Sequence, residues 1–289
     1  MPTGTHTNRS DVNLPTEVSQ DIIRKTQEQS AVMQLARRTQ LPGHGVTIPV
    51  IVSDPVAAWV GETERKPVSN PTLDKKTMRA YKLAVIVPFS DEFRRDAKIL
   101  YDELISRLPL ALASKFDQTV FGNVTAPGTD FDTFENCTAQ DIDADAYAGL
   151  VAADMDVSLH GGIVNGYVIA PQGKGILLSA RDGDQRPLFI NSVAEGAIPM
   201  ILGARTLVAK AAYKAASGGD PQVVGVTGDW TKAIYGTVEG VQVRFSEEAT
   251  LDVGNGNTIN LFQDNMNAVR AEIEIGFRCD TTVFNRLTA

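Results

Sequence analysis

The pattern of apolar and polar positions changes character several times along the chain. Val46, Ile48 and Val50 alternate with a period of two, and a strand pattern resumes over 78–87, after Lys75 and Lys76. Between these runs lies a polar, proline-punctuated stretch: Asp54-Pro55, a Trp59-Val60-Gly61-Glu62 tip, then Arg65, Lys66, Pro67 and Pro71. This predicts an extended hairpin over 41–78. It has too few apolar residues for a core of its own, and a bare two-stranded ribbon is only marginally stable in water. The hairpin is therefore expected to rest on a partner. Trp59 either folds back on its own loop or buries in a neighbour; its value as an interface anchor favours the neighbour.

A helical period follows. Ser90 suits an N-cap, and Asp91 and Glu92 complement the dipole of the first turn. Phe93, Ala97, Leu100, Leu104, Leu108 and Ala111 recur at spacings of three and four, which predicts one long helix running toward Phe121 with Gly122 as its stop. At ~1.5 Å per residue the helix would be on the order of 45 Å long, and Pro109 should kink or split it. Upstream, residues 1–13 are polar and read as a mobile or partner-ordered tail. Helical signals over 15–23 and 30–38 make an arm with too little apolar surface to fold alone.

Residues 123–140 read as a link rich in Thr, Asp, Gly and Pro, leading to a compact α/β section. A helix with Tyr147, Val151, Met155 and Leu159 on one ridge should end at Gly161-Gly162. A buried strand over 167–170 is stopped by Pro171, and a short helical stretch over 175–180 leads to the turn Asp182-Gly183-Asp184. Strand-like stretches at 206–209 and 223–226 flank a Ser-Gly-Gly-Asp-Pro loop. Val241, Val243 and Phe245 alternate, and Gly254-Asn255-Gly256-Asn257 reads as a hairpin bend. The cleanest strand comes last. Val269, Ala271, Ile273, Ile275, Phe277 and Cys279 point one way, and Arg270, Glu272, Glu274 and Arg278 the other.

With 289 residues, 43% of them hydrophobic, the chain can bury a sizeable core. Its formal charge of −8, without any Lys/Arg block, argues against direct gripping of nucleic acid, which needs a basic patch. Cys137 and Cys279 form no CxxC pair and read as two buried or half-buried thiols. No signal peptide and no apolar run of membrane-spanning length is read.

Catalytic chemistry is thin. His6, His44 and His160 lie in unrelated segments, and no metal-ligand spacing, GxSxG elbow, P-loop or GxGxxG is found. The glycines at 161–166 follow a helix and precede a strand, the wrong order for a phosphate-binding turn. Asp141, Asp143 and Asp145 lack the glycine and bidentate glutamate of a calcium loop and read as a solvated helix start. No cofactor, catalytic residue or metal is expected.

Several motifs nonetheless occur in a telling order. They are Ala58-Trp59-Val60-Gly61-Glu62, Val87-Pro88-Phe89-Ser90 before Asp91-Glu92-Phe93, Gly228-Asp229-Trp230-Thr231-Lys232-Ala233, and 241–249 from Val241 to Ala249. Phe262-Gln263-Asp264-Asn265 and 268–272 close the set. From about residue 14 to the end, the chain resembles the HK97-type major capsid proteins of tailed bacteriophages. The resemblance implies an α+β, HK97-like capsid fold. Its parts would be an N-terminal arm (1–40), an E-loop hairpin (41–78), a P-domain with a long spine helix (79–135), an inserted A-domain (136–261) and a P-domain C-terminal strand (262–289).

The function implied is self-assembly, as pentamers and hexamers, into an icosahedral virion capsid that encloses double-stranded DNA without reading its sequence. Assembly would take place in the host cytoplasm. A separate scaffolding protein is expected, because the arm begins almost at Met1, and portal and decoration proteins are further partners; no membrane is involved. Trp59, Glu62, Arg65 and Lys66 are expected to touch an adjacent subunit, with Glu62 and Arg65 pairing with Arg94, Arg95 or Asp96 of a neighbour. Some members join subunits through a Lys–Asn isopeptide bond; Lys66, Lys75 and Lys76 lie in or near the E-loop, but crosslinking is not expected. An encapsulin-type nanocompartment shell is the second reading. A soluble hydrolase is a remote third, opposed by the lack of a His-centred constellation.

Overall fold

The computed structural model describes residues 30–43, 46–51, 73–182, 184–189, 200–254 and 257–289. The tail at 1–13, the helical signal at 15–23 and the hairpin tip with Trp59, Glu62, Arg65 and Lys66 lie outside the described residues.

Helix α1 (Ala31–Leu35) precedes strands β1 (Arg37–Gln40), β2 (Val46–Ile51), β3 (Leu73–Met78) and β4 (Tyr81–Ser90). Helices α2 (Asp91–Asp96) and α3 (Lys98–Val120) follow. Then come β5 (Thr138–Asp141), α4 (Ala146–Leu159), β6 (Gly166–Ile169) and α5 (Pro171–Ser179). The rest is strand: β7 (Met200–Ile201), β8 (Ala204–Val208), β9 (Val223–Gly228), β10 (Ala233–Thr237) and β11 (Gln242–Ser246). The last four are β12 (Thr250–Gly254), β13 (Asn257–Asn260), β14 (Met266–Cys279) and β15 (Phe284–Thr288).

Strand β14 organises the first sheet. One flank pairs antiparallel with β4, from Met266 opposite Ser90 to Ile275 opposite Tyr81. The other flank takes β11 near its start and β10 near its end, and β1 adds parallel to β10. The alternating residues from Val269 to Cys279 are buried, as their period predicts. The second sheet has the order β5-β15-β9-β6-β8-β7. Helix α4 packs on β5, β15 and β9, and α5 on β9 and β6. The other face of this sheet meets the first sheet in a shared core. The expected division at 136–261 and 262–289 does not follow the sheets: β10 and β11 lie beside β14, whereas β15 lies between β5 and β9.

Aromatic rings fill the junction. Phe134 is fully buried, with its ring 4.8 Å from Phe284, 5.5 Å from Trp230 and 5.7 Å from Phe277. The Gly-Asp-Trp motif forms a joint here. Asp229 caps a single 3₁₀ turn over 230–232, and the Trp230 indole donates to the Gly166 carbonyl at 3.0 Å. The supposed link over 123–140 thus carries the ring at the centre of the core.

The long helix departs from expectation. Ser90 caps α2 as predicted, accepting from the Phe93 amide, but the helix breaks at Ala97, not at Pro109. The break lets Phe93 stack on Phe89 at 6.0 Å while Tyr101 meets the same ring edge-on at 5.0 Å. In an unbroken helix those two residues would stand about 12 Å apart along the axis. The new phase turns Leu100 and Leu104 outward and buries Tyr101, Leu108, Leu112, Phe116 and Val120 instead. Helix α3 runs through Pro109 for 23 residues and stops at Gly122, whose φ of +79° suits glycine.

Four further expectations shift. Helix α1 ends at Leu35, because Arg37–Gln40 finds backbone partners in β10. The second arm of the hairpin is Leu73–Met78, paired with Ile51–Val46, while Tyr81–Ser90 belongs to β14. Helix α5 starts at Pro171, whose fixed φ suits a first turn. Helix α4 turns its ridge of Tyr147, Met155 and Leu159 to solvent and docks through Gly149, Leu150, Ala153 and Val157. A Cβ at Gly149 would lie 2.1 Å from the Asp141 carbonyl, so small residues set that approach.

Truncating the central ring tests this core. Phe134→Ala should lower unfolding stability by about 3–5 kcal/mol in denaturant titrations followed by tryptophan fluorescence. A loss within about 1 kcal/mol would place the organising contact elsewhere.

Candidate subunit interface

Three sets of side chains fix how the arm, the hairpin and the broken helix leave the body. The first anchors the arm. Asp117, on the buried stripe of α3, accepts from the Ser30 hydroxyl at 2.5 Å and the Ala31 amide at 2.8 Å. Ser30 in turn caps α1 by accepting from the Met33 amide at 3.1 Å. Asp117 is thus a second cap for the arm helix, supplied from another element. Burial pushes its carboxyl up to about 6, against the opposing pull of the Ser30 hydroxyl and the Ala31 and Val32 amides.

The second set clamps the base of the hairpin. Arg278, at the end of β14, reaches Asp132 at 2.7 Å and Asp130 at 3.2 Å, and its Nε donates to the Thr77 carbonyl at 2.8 Å. Lys76 lies 3.8 Å from Asp132 and donates to the Cys279 carbonyl at 3.0 Å, while Arg79 lies 3.4 Å from Asp130. Three cations and two carboxylates therefore tie β3, the 123–140 link and β14 together. A Cβ at Gly276 would lie 2.4 Å from the Arg79 carbonyl, so the corner closes on glycine.

The third set sits on α2. Arg94 lies 3.3 Å from Glu247 and 3.6 Å from Asp91; Arg95 pairs with Asp96 at 2.8 Å. The structure thus brings Arg94, Arg95 and Asp96 together on one exposed short helix. Trp59, Glu62, Arg65 and Lys66, expected to meet them across an interface, lie outside the described residues. Both arginines already have carboxylate partners within the chain.

Other candidate chemistry resolves into structure. Asp145 caps α4, accepting from the Tyr147 and Ala148 amides, and the Asp141 carboxylate accepts from the Asp143 amide. Gly161 takes a φ of +77° beyond α4, and the Gly162 amide bonds to the Val157 carbonyl. Cys137 and Cys279 are buried free thiols; burial holds Cys137 at about 12 and Cys279 well above its ordinary value. Among the described residues no three His, Cys, Asp or Glu side chains converge as a metal site, and no helix is long and apolar enough to cross a membrane.

The sequence profile of the phage capsid family matches residues 11–280. The chain belongs to the phage capsid family. This capsid chain is 28% identical over 294 residues to the "Probable major capsid protein gp17" of Mycobacterium phage L5, covering 95% of this chain and 89% of that protein. It is 24% identical to the "Major capsid protein" of Staphylococcus phage 80alpha, over 96% and 86% of the two chains. Among solved structures, a chain titled "Microbacterium phage Oxtober96" superposes with a TM-score of 0.74 at 23% identity, covering 90% of this chain and 91% of its own. One titled "Gordonia phage Cozz" gives 0.73 at 22%, covering 90% and 86%. The fold is the α+β, HK97-like capsid fold.

In this capsid chain the Asp117 anchor and the Arg278 clamp went unread. Asp117 is spaced four residues from both Ala113 and Phe121, a helical spacing that is a usable signal for the buried face; Asp130 and Asp132 stand in a stretch that reads as a polar link.

The raised Asp117 carboxyl carries a pH signature. It binds its proton more tightly folded than unfolded. Its contribution to stability is therefore full below the unfolded carboxyl range near about 3.9 and is lost as pH rises through about 6. Against Asp117→Asn, which does not titrate, the unaltered chain should lose about 3 kcal/mol between acidic and mildly alkaline buffer. Parallel curves for the two proteins would show that this carboxyl is not the titrating group.

Proposed function

We propose that this chain is the major capsid protein of a tailed-phage head, a shell subunit whose work is containment, not catalysis. The observation that carries the reading is the family match over residues 11–280. The named relatives are phage capsid proteins, which favours the phage head over an encapsulin-type nanocompartment.

Subunits assemble as pentamers and hexamers into an icosahedral shell. The P-domain corresponds to the first sheet with α3, and the A-domain to the second sheet with α4 and α5. The net charge of −8 suits a wall that encloses double-stranded DNA without gripping it. A separate scaffolding protein, a portal and a decoration protein are the further partners, and assembly takes place in the host cytoplasm.

The hairpin is the reaching element. Lys76 and Arg79 at its base are held by the Arg278 clamp, so its direction from the body is set before a neighbour arrives. Trp59, Glu62, Arg65 and Lys66 contact the adjacent subunit, and Glu62 meets the α2 surface of that neighbour. Because Arg94 and Arg95 already have carboxylate partners, Glu62 joins existing pairs there. Its worth is orientation more than affinity, and Trp59 carries the larger share.

Negative-stain electron microscopy beside a sizing column tests the reading. The chain, alone or with its neighbouring head genes, should give closed shells or capsomer rings. A monomer under both conditions would end it. Trp59→Ala should cut particle yield by about tenfold or more while leaving the melting curve unchanged. Unchanged yield would remove Trp59 from the interface.

A further inference from the structure

We infer that the two edges of the six-stranded sheet are complementary halves of a single contact, with the β5 edge of one copy meeting the β8–β7 edge of the next. The inference rests on the shell reading and names the surfaces that its rings would use.

Among the described residues the strand order puts β5 and β7 at opposite ends of the sheet. Charge is divided between those ends. From Thr138 to Gly173 the chain has five aspartates and no lysine or arginine. Asp141 at the end of β5, and Asp143 and Asp145 just beyond it, are all exposed. Their local bonds are to backbone amides, which leaves the negative charges uncancelled. Arg181 shares an open cleft with Asp143 and Asp145 but makes no ion pair among the described residues.

The opposite edge is the reverse. From Met200 to Ala216 there is no Asp or Glu. Arg205 on β8 and Lys210 beyond it are exposed, and neither has a carboxylate partner among the described residues. Arg205 bonds to the neutral Gln34 side chain at 3.2 Å.

Each edge also carries apolar side chains that the fold leaves bare. Tyr147, at the start of α4 beside Asp143 and Asp145, is half exposed; Met200 and Val208 stand at the basic end. Exposed apolar side chains set beside charge of one sign are what a wetted interface looks like before it closes.

The occupant follows from the signs. Two acidic edges repel, as do two basic ones, so a two-fold contact of like edges is disfavoured. One edge of each kind attracts. A contact between different surfaces of identical subunits is head-to-tail, and it generates a closed ring when its rotation closes. The partner is therefore a second copy of this chain. Each exposed ion pair is weak alone, but it steers approach and is repeated at every junction of the ring.

Charge exchange tests this. Three variants are compared with the unaltered chain for particle yield and thermal melting: Asp141→Lys with Asp143→Lys, Arg205→Glu with Lys210→Glu, and all four substitutions together. Each edge variant alone should lower yield by about tenfold or more with melting unchanged, and the fourfold variant should recover most of it, because its edges attract again with the signs exchanged. If the edge variants assemble as well as the unaltered chain, the inference falls and the shell reading stands. The same holds if the fourfold variant melts normally yet assembles no better than the edge variants. If the unaltered chain forms no particles even with its neighbouring head genes, the shell reading falls and this inference with it.

Discussion

The structure depends on one strand being wanted on both flanks. Strand β14 pairs with β4 along one side and with β11 and β10 along the other, and its inward face is buried from Val269 to Cys279. A strand so placed cannot slip by one residue without turning that whole set to solvent and setting charges in the core. Its register fixes β4, β4 leads into α2, and the Arg278 clamp at its end fixes the hairpin base. A short turn then delivers β15 to the second sheet, where Phe284 meets Phe134. The two sheets share a core because one run of chain, 266–288, serves both.

Much of this was legible. The period-two run of β14 gave its strand and its buried face together, since alternation reports both. Ser90 and Gly122 marked helix ends through their own backbone chemistry, whereas Pro171, read only as a strand stop, also opens α5. Periodicity misled where a helix changed phase. The stripe read from Phe93 crosses the break at Ala97, so Leu100 and Leu104, correctly spaced for one straight helix, face outward in two. It misled again in α4, where small residues on the docking face left the larger ones outside. Neither outcome is local, because the first depends on Phe89 accepting two rings and the second on the Asp141 carbonyl lying close to Gly149.

The anchoring groups were hidden for a related reason. Asp130 and Asp132 look like loop residues until Arg278 arrives from 148 and 146 positions away in sequence. Ser30 and Asp117 are separated by 87 positions, and Asp117 stands among Lys115, Gln118 and Thr119, so only its helical spacing from Ala113 and Phe121 hints that it faces inward. Composition and motif order identified the family, while the clamps that aim its extended parts needed the three-dimensional contacts. Three contacts far apart in sequence thus hold the described roots of these segments: Asp117 caps the arm helix, Arg278 and its carboxylates hold Lys76 and Arg79, and Glu247 pairs with Arg94 on α2.

The place of β15 bears on synthesis. It lies between β5 and β9, so the second sheet has a gap in its middle until residues 284–288 have left the ribosome. β14 is likewise the strand that β4, β10 and β11 all await. Neither sheet can close from the front, before β14 and β15 are available. Until residues 266–288 are available, the strand edges of β4, β9, β10 and β11 and the rings around Phe134 lack their partners. Any subunit lacking residues 266–288 would therefore present open strand edges in both sheets at once, where a complete one presents closed ladders.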